Sequence, residues 1–355
     1  MNGKTIEPAT LFAEYQDRLE DFWQRRRSQC RYERQEQIFG WPVTFRSNEP
    51  AVLSAADHCL PLYSRVPTIP QEPLEIQLIV QAPPMAPGPL PDNLFDHIQY
   101  TGEAQWLMIG LSRWGHCHVD LARGQATAVL APELAAQPDL VSLYLLNTVI
   151  TNLFIARGYG MLHASCLYRQ DRAVLLMAAH NSGKSTTALR LALAGYPLLC
   201  DSMIFLPPEG EELMLLGFPV GKVKLREDMV AWFPGIESLL ATEEVREETK
   251  YSFDLRLLDQ DLVYEAAACP AAVELCLLAR GARKDTTLAR ASHADVMQAV
   301  MENSLFYDTA EIWQQNLGAI GRLVDRARWH HLIIGSDPQH LIATISSLWQ
   351  GKEGI

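Results

Sequence analysis

Residues 173–200 read AVLLMAAHNSGKSTTALRLALAGYPLLC, and Asp201 follows. A short apolar run leads into a polar turn carrying Gly183-Lys184-Ser185. An apolar-periodic helix comes next, with Gly195 as its C-terminal cap, and then a second apolar run. The order is strand, loop, helix, strand. A turn between a buried strand and a helix aims successive backbone N–H groups and the positive end of the helix at one point, where an anion is stabilised.

In a phosphate-binding version of this turn, the loop residues Ala179, His180, Asn181, Ser182, Gly183, Lys184, Ser185 and Thr186 surround a polyphosphate. Lys184 reaches the outer phosphates and Ser185 offers a hydroxyl to Mg²⁺. The full motif places a first glycine five residues before Gly183, and this chain has Ala178 there. Ala at a left-handed position costs about 1–2 kcal/mol, and at negative φ little. The same residues also read as an ordinary helix start, with Ser182 as N-cap and Lys184 on the surface. Asp201 stands at the C-terminal end of a buried strand, where open α/β sheets place ligands. A carboxylate there can bind Mg²⁺ or take a proton from an attacking hydroxyl, although an Asp capping a turn looks the same.

Outward from this centre, residues 139–157 form an apolar helix with Asp139 as N-cap and Gly158 as stop, and the domain boundary is drawn just before it, between 137 and 138. Residues 1–137 are expected to form a smaller β-rich α+β domain. Its β-type runs include Trp41–Phe45, Leu74–Val80, Trp106–Leu111 and Cys117–Leu121, separated by Pro- and Gly-containing turns. The segment QAPPMAPGPLPD reads as a surface connection, with a polyproline ligand as the alternative. Residues 10–39 set Leu11, Phe12, Tyr15, Leu19, Phe22 and Trp23 at helical spacings and end in Arg25-Arg26-Arg27, Arg31 and Arg34, which predicts an amphipathic helix.

The stretches MLHAS, AAHNSGKSTTAL and LLCDSMIFL together resemble the catalytic domain of the HPr kinase/phosphorylase family and of the related kinases of peptide-modification gene clusters. From His163 to Ala178 is 178 − 163 = 15 residues and from Lys184 to Asp201 is 201 − 184 = 17, as that family spaces its histidine, loop and acid. The terminal HHLIIGSDPQHLIATISSLW fits the strand–helix end of such domains. The resemblance implies an α/β P-loop kinase domain of the HPr kinase (PEP carboxykinase-like) type over residues 138–355. It implies ATP and Mg²⁺ as cofactors and a Ser or Thr hydroxyl on a protein or peptide as acceptor. It also implies Lys184 and Ser185 as phosphate and metal residues, Asp201 as the acid that activates the acceptor or binds metal, and His163 beside the transferred phosphate. Assembly of several copies is a further implication. The second family aspartate is Ser202 here, which together with Ala178 bears on turnover more than on nucleotide binding. A non-catalytic nucleotide-binding module and a small-molecule kinase are the alternatives.

Other groups rank lower. Lys222, Lys224 and Arg226 alternate in GFPVGKVKLRE and share one face if that segment is extended. Arg246 and Lys250 lie in EEVREETK, a charged stretch with the character of a lid. His116-Cys117-His118 has metal-ligand residue types, but strand alternation puts Cys117 opposite the two histidines. His330 and His331 precede an apolar strand and read as ordinary.

Composition limits the function classes. The chain has 355 residues, 48% hydrophobic and 20% charged, enough for two ordinary cores. Its formal charge of −12 argues against a duplex nucleic-acid partner. Seven cysteines without CxxC pairing favour a reducing compartment, and the acidic N-terminus does not read as an export signal, so a cytoplasmic location is expected. The most apolar stretch, Leu140 to Ala156, is interrupted by Ser142, Asn147, Thr148, Thr151 and Asn152, which favours a buried helix over a membrane span.

Overall fold

The structure, a computed structural model, describes residues 30–350 except Pro70, Pro84, His180, Asn181, Glu211, Arg246, Glu247 and 306–308; the side chains of 242–249 are likewise not described. The protein is a mixed α/β chain of two compact units, one comprising 1–61 and 67–156, the other Leu62–Val66 and 157–355.

The N-terminal unit carries a mixed seven-stranded sheet of β1 (Tyr32–Ile38), β2 (Trp41–Ser47), β3 (Leu74–Val80), β4 (Gln99–Glu103), β5 (Trp106–Gly110), β6 (Gly115–Asp120) and β7 (Gln125–Leu130). Their order is β1-β2-β3-β7-β6-β5-β4, with β3 parallel to both β2 and β7. The expected runs at 41, 74, 106 and 117 are all strands. Of the helix expected over 10–39, the part before residue 30 lies outside the described residues, and 32–38 form a strand instead. The cause is the turn at Phe39-Gly40, whose positive φ values of 51° and 80° link Ile38 directly to Trp41 in a tight hairpin. Cross-strand pairing then overrides the helical spacing. On β6, Cys117 is buried while His116 and His118 sit on the other face, as alternation requires.

The apolar helix α1 (Pro138–Ala156) starts one residue earlier than expected, because Pro138 fixes the first helical φ and leaves Gln137, not Asp139, at the N-cap. Its middle turn, Val141–Leu146, is wound as π-helix. It is long and apolar enough to cross a membrane, yet 67% of its most apolar window is buried, with Phe154 set edge-on to Phe39 at 5.1 Å. Its interrupting Asn147 accepts a hydrogen bond from the Cys59 thiol at 3.3 Å. This packing assigns α1 to the N-terminal unit, so the division falls after Ala156, not before residue 138. Gly158, with φ +82°, marks the chain reversal that follows.

The C-terminal unit contains β8 (Gly160–Leu162), β9 (Ser165–Arg169), β10 (Arg172–Met177), β11 (Leu198–Cys200), β12 (Met203–Leu206), β13 (Leu216–Phe218), β14 (Lys222–Arg226), β15 (Ala241–Val245), β16 (Glu248–Asp254), β17 (Ala272–Arg280), β18 (Thr287–Arg290), β19 (Ser304–Leu305) and β20 (Ala327–Ile334). Its main sheet runs β11-β9-β10-β17-β20-β18. The strands β10, β17 and β20 are parallel, whereas β9 lies antiparallel between β10 and β11. After Arg172 the β10 sequence is apolar because both faces are buried: Val174 and Leu176, with Ala178 just beyond the strand, enter one hydrophobic cluster and Ala173, Leu175 and Met177 the other. The helices α2 (Lys184–Leu193) and α5 (Pro338–Trp349) contribute to the first cluster, and α3 (His293–Glu302) and α4 (Ala310–Arg326) to the second. Smaller sheets, β13-β12-β8-β19 and β14-β16-β15, complete the unit.

Candidate phosphate-binding site

The direction of the strands brings the site together. Because β9 opposes both β10 and β11, the C-terminal ends of β10 and β11 and the start of β9 meet at one edge of the sheet. The loop after Met177, Asp201 after Cys200, and Ser165 at the head of β9 are therefore neighbours, although 201 − 165 = 36 residues of chain separate the outer two. Strand β17, parallel to β10 with Met177 opposite Leu277, ends at the same edge three residues later in Arg280.

The loop enters α2 through Gly183, whose φ of +95° is the left-handed conformation that favours glycine. Gly183, not Ser182, is the N-cap. The Gly183 carbonyl accepts the first helical bond, from the Thr187 amide at 2.9 Å. The amides of Lys184, Ser185 and Thr186 in the first turn thus have no acceptor inside the helix. Ala178 is buried with negative φ, so its methyl group carries no left-handed strain. The missing first glycine is compatible with this loop. Ala179 is exposed and accepts from the Ser182 amide at 3.3 Å; His180 and Asn181 lie outside the described residues.

Lys184 is only 9% exposed and its Nζ donates to the main-chain oxygen of Asp201 at 3.0 Å. A surface lysine would not make that contact. Asp201, 5% exposed, accepts at Oδ1 from the Ser165 hydroxyl at 2.6 Å. The Ser185 hydroxyl and the Lys224 main-chain amide also stabilise the carboxylate. Burial pushes the Asp201 carboxyl above its ordinary value, while Lys184, the two hydroxyls and the amide oppose that rise. Burial likewise pulls the Lys184 ammonium down, against the pull of the Asp201 carboxylate and Cys200. Lys184 and Asp201 are thus two buried ionisable groups held by specific donors, and the Ser185 hydroxyl lies against the Asp201 carboxyl, an oxygen pair of the kind a hard divalent cation takes.

Of the remaining expected residues, His163 is exposed on the connection from β8 to β9, two residues before Ser165, and its amide donates to Asn303. Ser202, partly buried, follows Asp201 at the turn into β12. On β14, Val223 and Leu225 are buried, and Lys222, Lys224 and Arg226 share the opposite face. In the EEVREETK stretch, β15 pairs antiparallel with β16 and Lys250 lies opposite Arg226, while Arg246 lies outside the described residues. Strand β16 also pairs with β14, the strand whose amide serves Asp201. On β20, two strands across from β10, His330 bonds Glu274 at 2.7 Å and His331 bonds Asp295 at 3.1 Å.

Two members of the site escape the sequence reading. Ser165 stands inside MLHAS, but only the antiparallel insertion of β9 takes it to Asp201. Arg280 lies 280 − 184 = 96 residues beyond Lys184, and only the parallel pairing of β10 with β17 places it at the loop. The signal for it was the run Arg280-Gly281-Ala282-Arg283-Lys284 closing a buried strand, a basic cluster where such sheets bind ligands.

No family model matches the sequence, and no curated protein matches it. Among solved structures, the chain is similar to the HPr(Ser) kinase/phosphatase from Coxiella burnetii, at 17% identity over 54% of this chain and 88% of that one, with a TM-score of 0.28. A likeness that loose assigns no activity to this chain, whose chemistry has to be read from its own residues.

Proposed function

We propose that the C-terminal unit is a magnesium- and ATP-dependent kinase that phosphorylates a Ser or Thr hydroxyl on a protein or peptide in the cytoplasm, with the N-terminal unit binding that acceptor. The supporting observation is the joint placement of Lys184, Ser185 and Asp201 at the mouth of a glycine-capped helix. The residues fit the group: first-turn amides and Lys184 face an anion, and the Ser185 and Asp201 oxygens would hold Mg²⁺. Magnesium nucleotide would supply the phosphoryl group and neutralise part of its charge.

The protein's own contribution is positioning and electrostatics. Lys184, now bonded to the Asp201 carbonyl, would hold the phosphate oxygens, and the helix end would stabilise their charge without reorganisation. Asp201 orients the acceptor hydroxyl and takes its proton; the raised affinity for protons that burial confers suits that role. His163, exposed two residues before Ser165, would stand beside the transferred group.

A nucleotide-responsive module without transfer is the second reading, favoured by Ser202, which leaves Asp201 as the single acid after β11. Purified protein incubated with Mg-ATP and a library of Ser/Thr peptides separates the two. Phosphopeptide formation that Asp201→Asn abolishes, with ATP binding retained, supports the kinase. Nucleotide binding with no phosphorylated product supports the module. An absence of binding to any nucleotide refutes both.

A further inference from the structure

Arg280 is the last residue of β17, exposed, and forms no ion pair among the described residues. Its guanidinium leans over the loop: a Cβ on Gly183 would meet Arg280 Nε at 3.3 Å and an Nη at 3.4 Å. In a chain of formal charge −12, most arginines with a carboxylate in reach use it, as Arg34, Arg46, Arg65, Arg226, Arg256 and Arg328 do here. Arg280 instead stands against the glycine that caps α2, where the first-turn amides already favour an anion and repel a cation. An unpaired guanidinium held against a positive helix end is unfavourable unless an anion fits between them. The planar fork of Arg suits two phosphate oxygens at once.

Resting on the kinase reading of the loop, we infer that Arg280 is a phosphate-binding residue of this site, delivered by the neighbouring parallel strand. It closes on a polyphosphate at the glycine that caps α2. The two cations differ in kind. Lys184 is buried and hydrogen-bonded to Asp201, whereas Arg280 is exposed and without a carboxylate. Arg280 therefore distinguishes ligands by the number of phosphates that project from the loop. Nucleoside di- and triphosphates and pyrophosphate gain its contact, and a nucleoside monophosphate does not.

The test is calorimetric titration of ATP, ADP, AMP and pyrophosphate, each with Mg²⁺, into the full chain and into Arg280→Ala, Arg280→Lys and Lys184→Ala. Arg280→Ala is expected to weaken ATP, ADP and pyrophosphate by about tenfold to a hundredfold, the range of one charge-assisted hydrogen-bonded contact. It should leave AMP unchanged. Arg280→Lys should recover part of the loss, since it restores the charge without the fork. Thermal melts without ligand should show no loss of stability in either Arg280 variant, because the side chain has no partner to lose among the described residues and Arg280→Ala removes a cation from the positive helix end. If one variant fails to fold, the other still decides. Wild-type binding that Lys184→Ala removes and both Arg280 variants retain within twofold overturns the inference and leaves the loop reading intact. A wild type that binds none of the four ligands overturns both.

Discussion

Replacing Ser165 by Ala is the perturbation that most directly examines the buried acid. The Ser165 hydroxyl donates to Asp201 Oδ1 at 2.6 Å, and both residues are buried. Removing that donor leaves the carboxylate with Ser185, the Lys224 amide and Lys184. A hydrogen bond to a charged group contributes about 1.5–3 kcal/mol, and the remaining donors place this case near the lower end, at about 2 kcal/mol. With a urea slope of about 2.5 kcal/mol/M, that is a fall of about 0.8 M in the unfolding midpoint of the C-terminal unit. The loss carries a pH signature. Burial already raises the folded-state Asp201 pKa above 3.8, and deleting the hydroxyl raises it further. The deficit of the variant is therefore full at pH values well above both folded-state pKa values. It shrinks as pH falls through them, because a neutral carboxyl needs the donor less. Urea unfolding of wild type and Ser165→Ala at neutral pH and at successively lower pH measures this directly. A deficit under about 0.5 kcal/mol at neutral pH, or one that stays constant as Asp201 protonates, would refute the account of a charged Asp201 held by Ser165.

Other predictions follow from neighbouring residues. Gly183→Ala forces a methyl group into φ +95° and against Arg280, so it should cost about 1–2 kcal/mol and weaken ATP binding, whereas Ala178→Gly should leave affinity within twofold; calorimetry on both compares them. Phosphoryl transfer, if followed against pH at saturating Mg-ATP, should be lost as pH falls through the raised Asp201 pKa, and an activity that persists with Asp201 protonated would exclude it as base. Glu274, buried on β17, is held by Arg328 and by His330. Arg328→Ala should destabilise by about 1–3 kcal/mol, while Glu274→Leu combined with Arg328→Leu should cost less, as urea midpoints would show.

Much of the centre was legible because its signals are local. The β10 run, the loop, α2 and the second apolar run all follow from residues adjacent in sequence, and the structure places Lys184 and Asp201 together. The strand at 32–38 was not legible from periodicity, since charged residues spaced along an edge strand satisfy helical spacing equally well. The informative signal was the dipeptide Phe39-Gly40, which fixes a hairpin. The end of the first unit was misplaced for a related reason. A helix that is apolar on nearly every side does not disclose which core it joins, and Phe154 against Phe39 decides it. Ser165 and Arg280 depend on which strands pair and in which direction, and no local pattern carries that.

The bond between Lys184 Nζ and the Asp201 carbonyl has a consequence for occupancy of the loop. An incoming anion must compete with the chain's own peptide oxygen for that ammonium, so apparent affinity is the difference between two attachments. A substitution that shifts the peptide at 201 while sparing the carboxylate would tighten ligand capture, even though it touches no ligand atom.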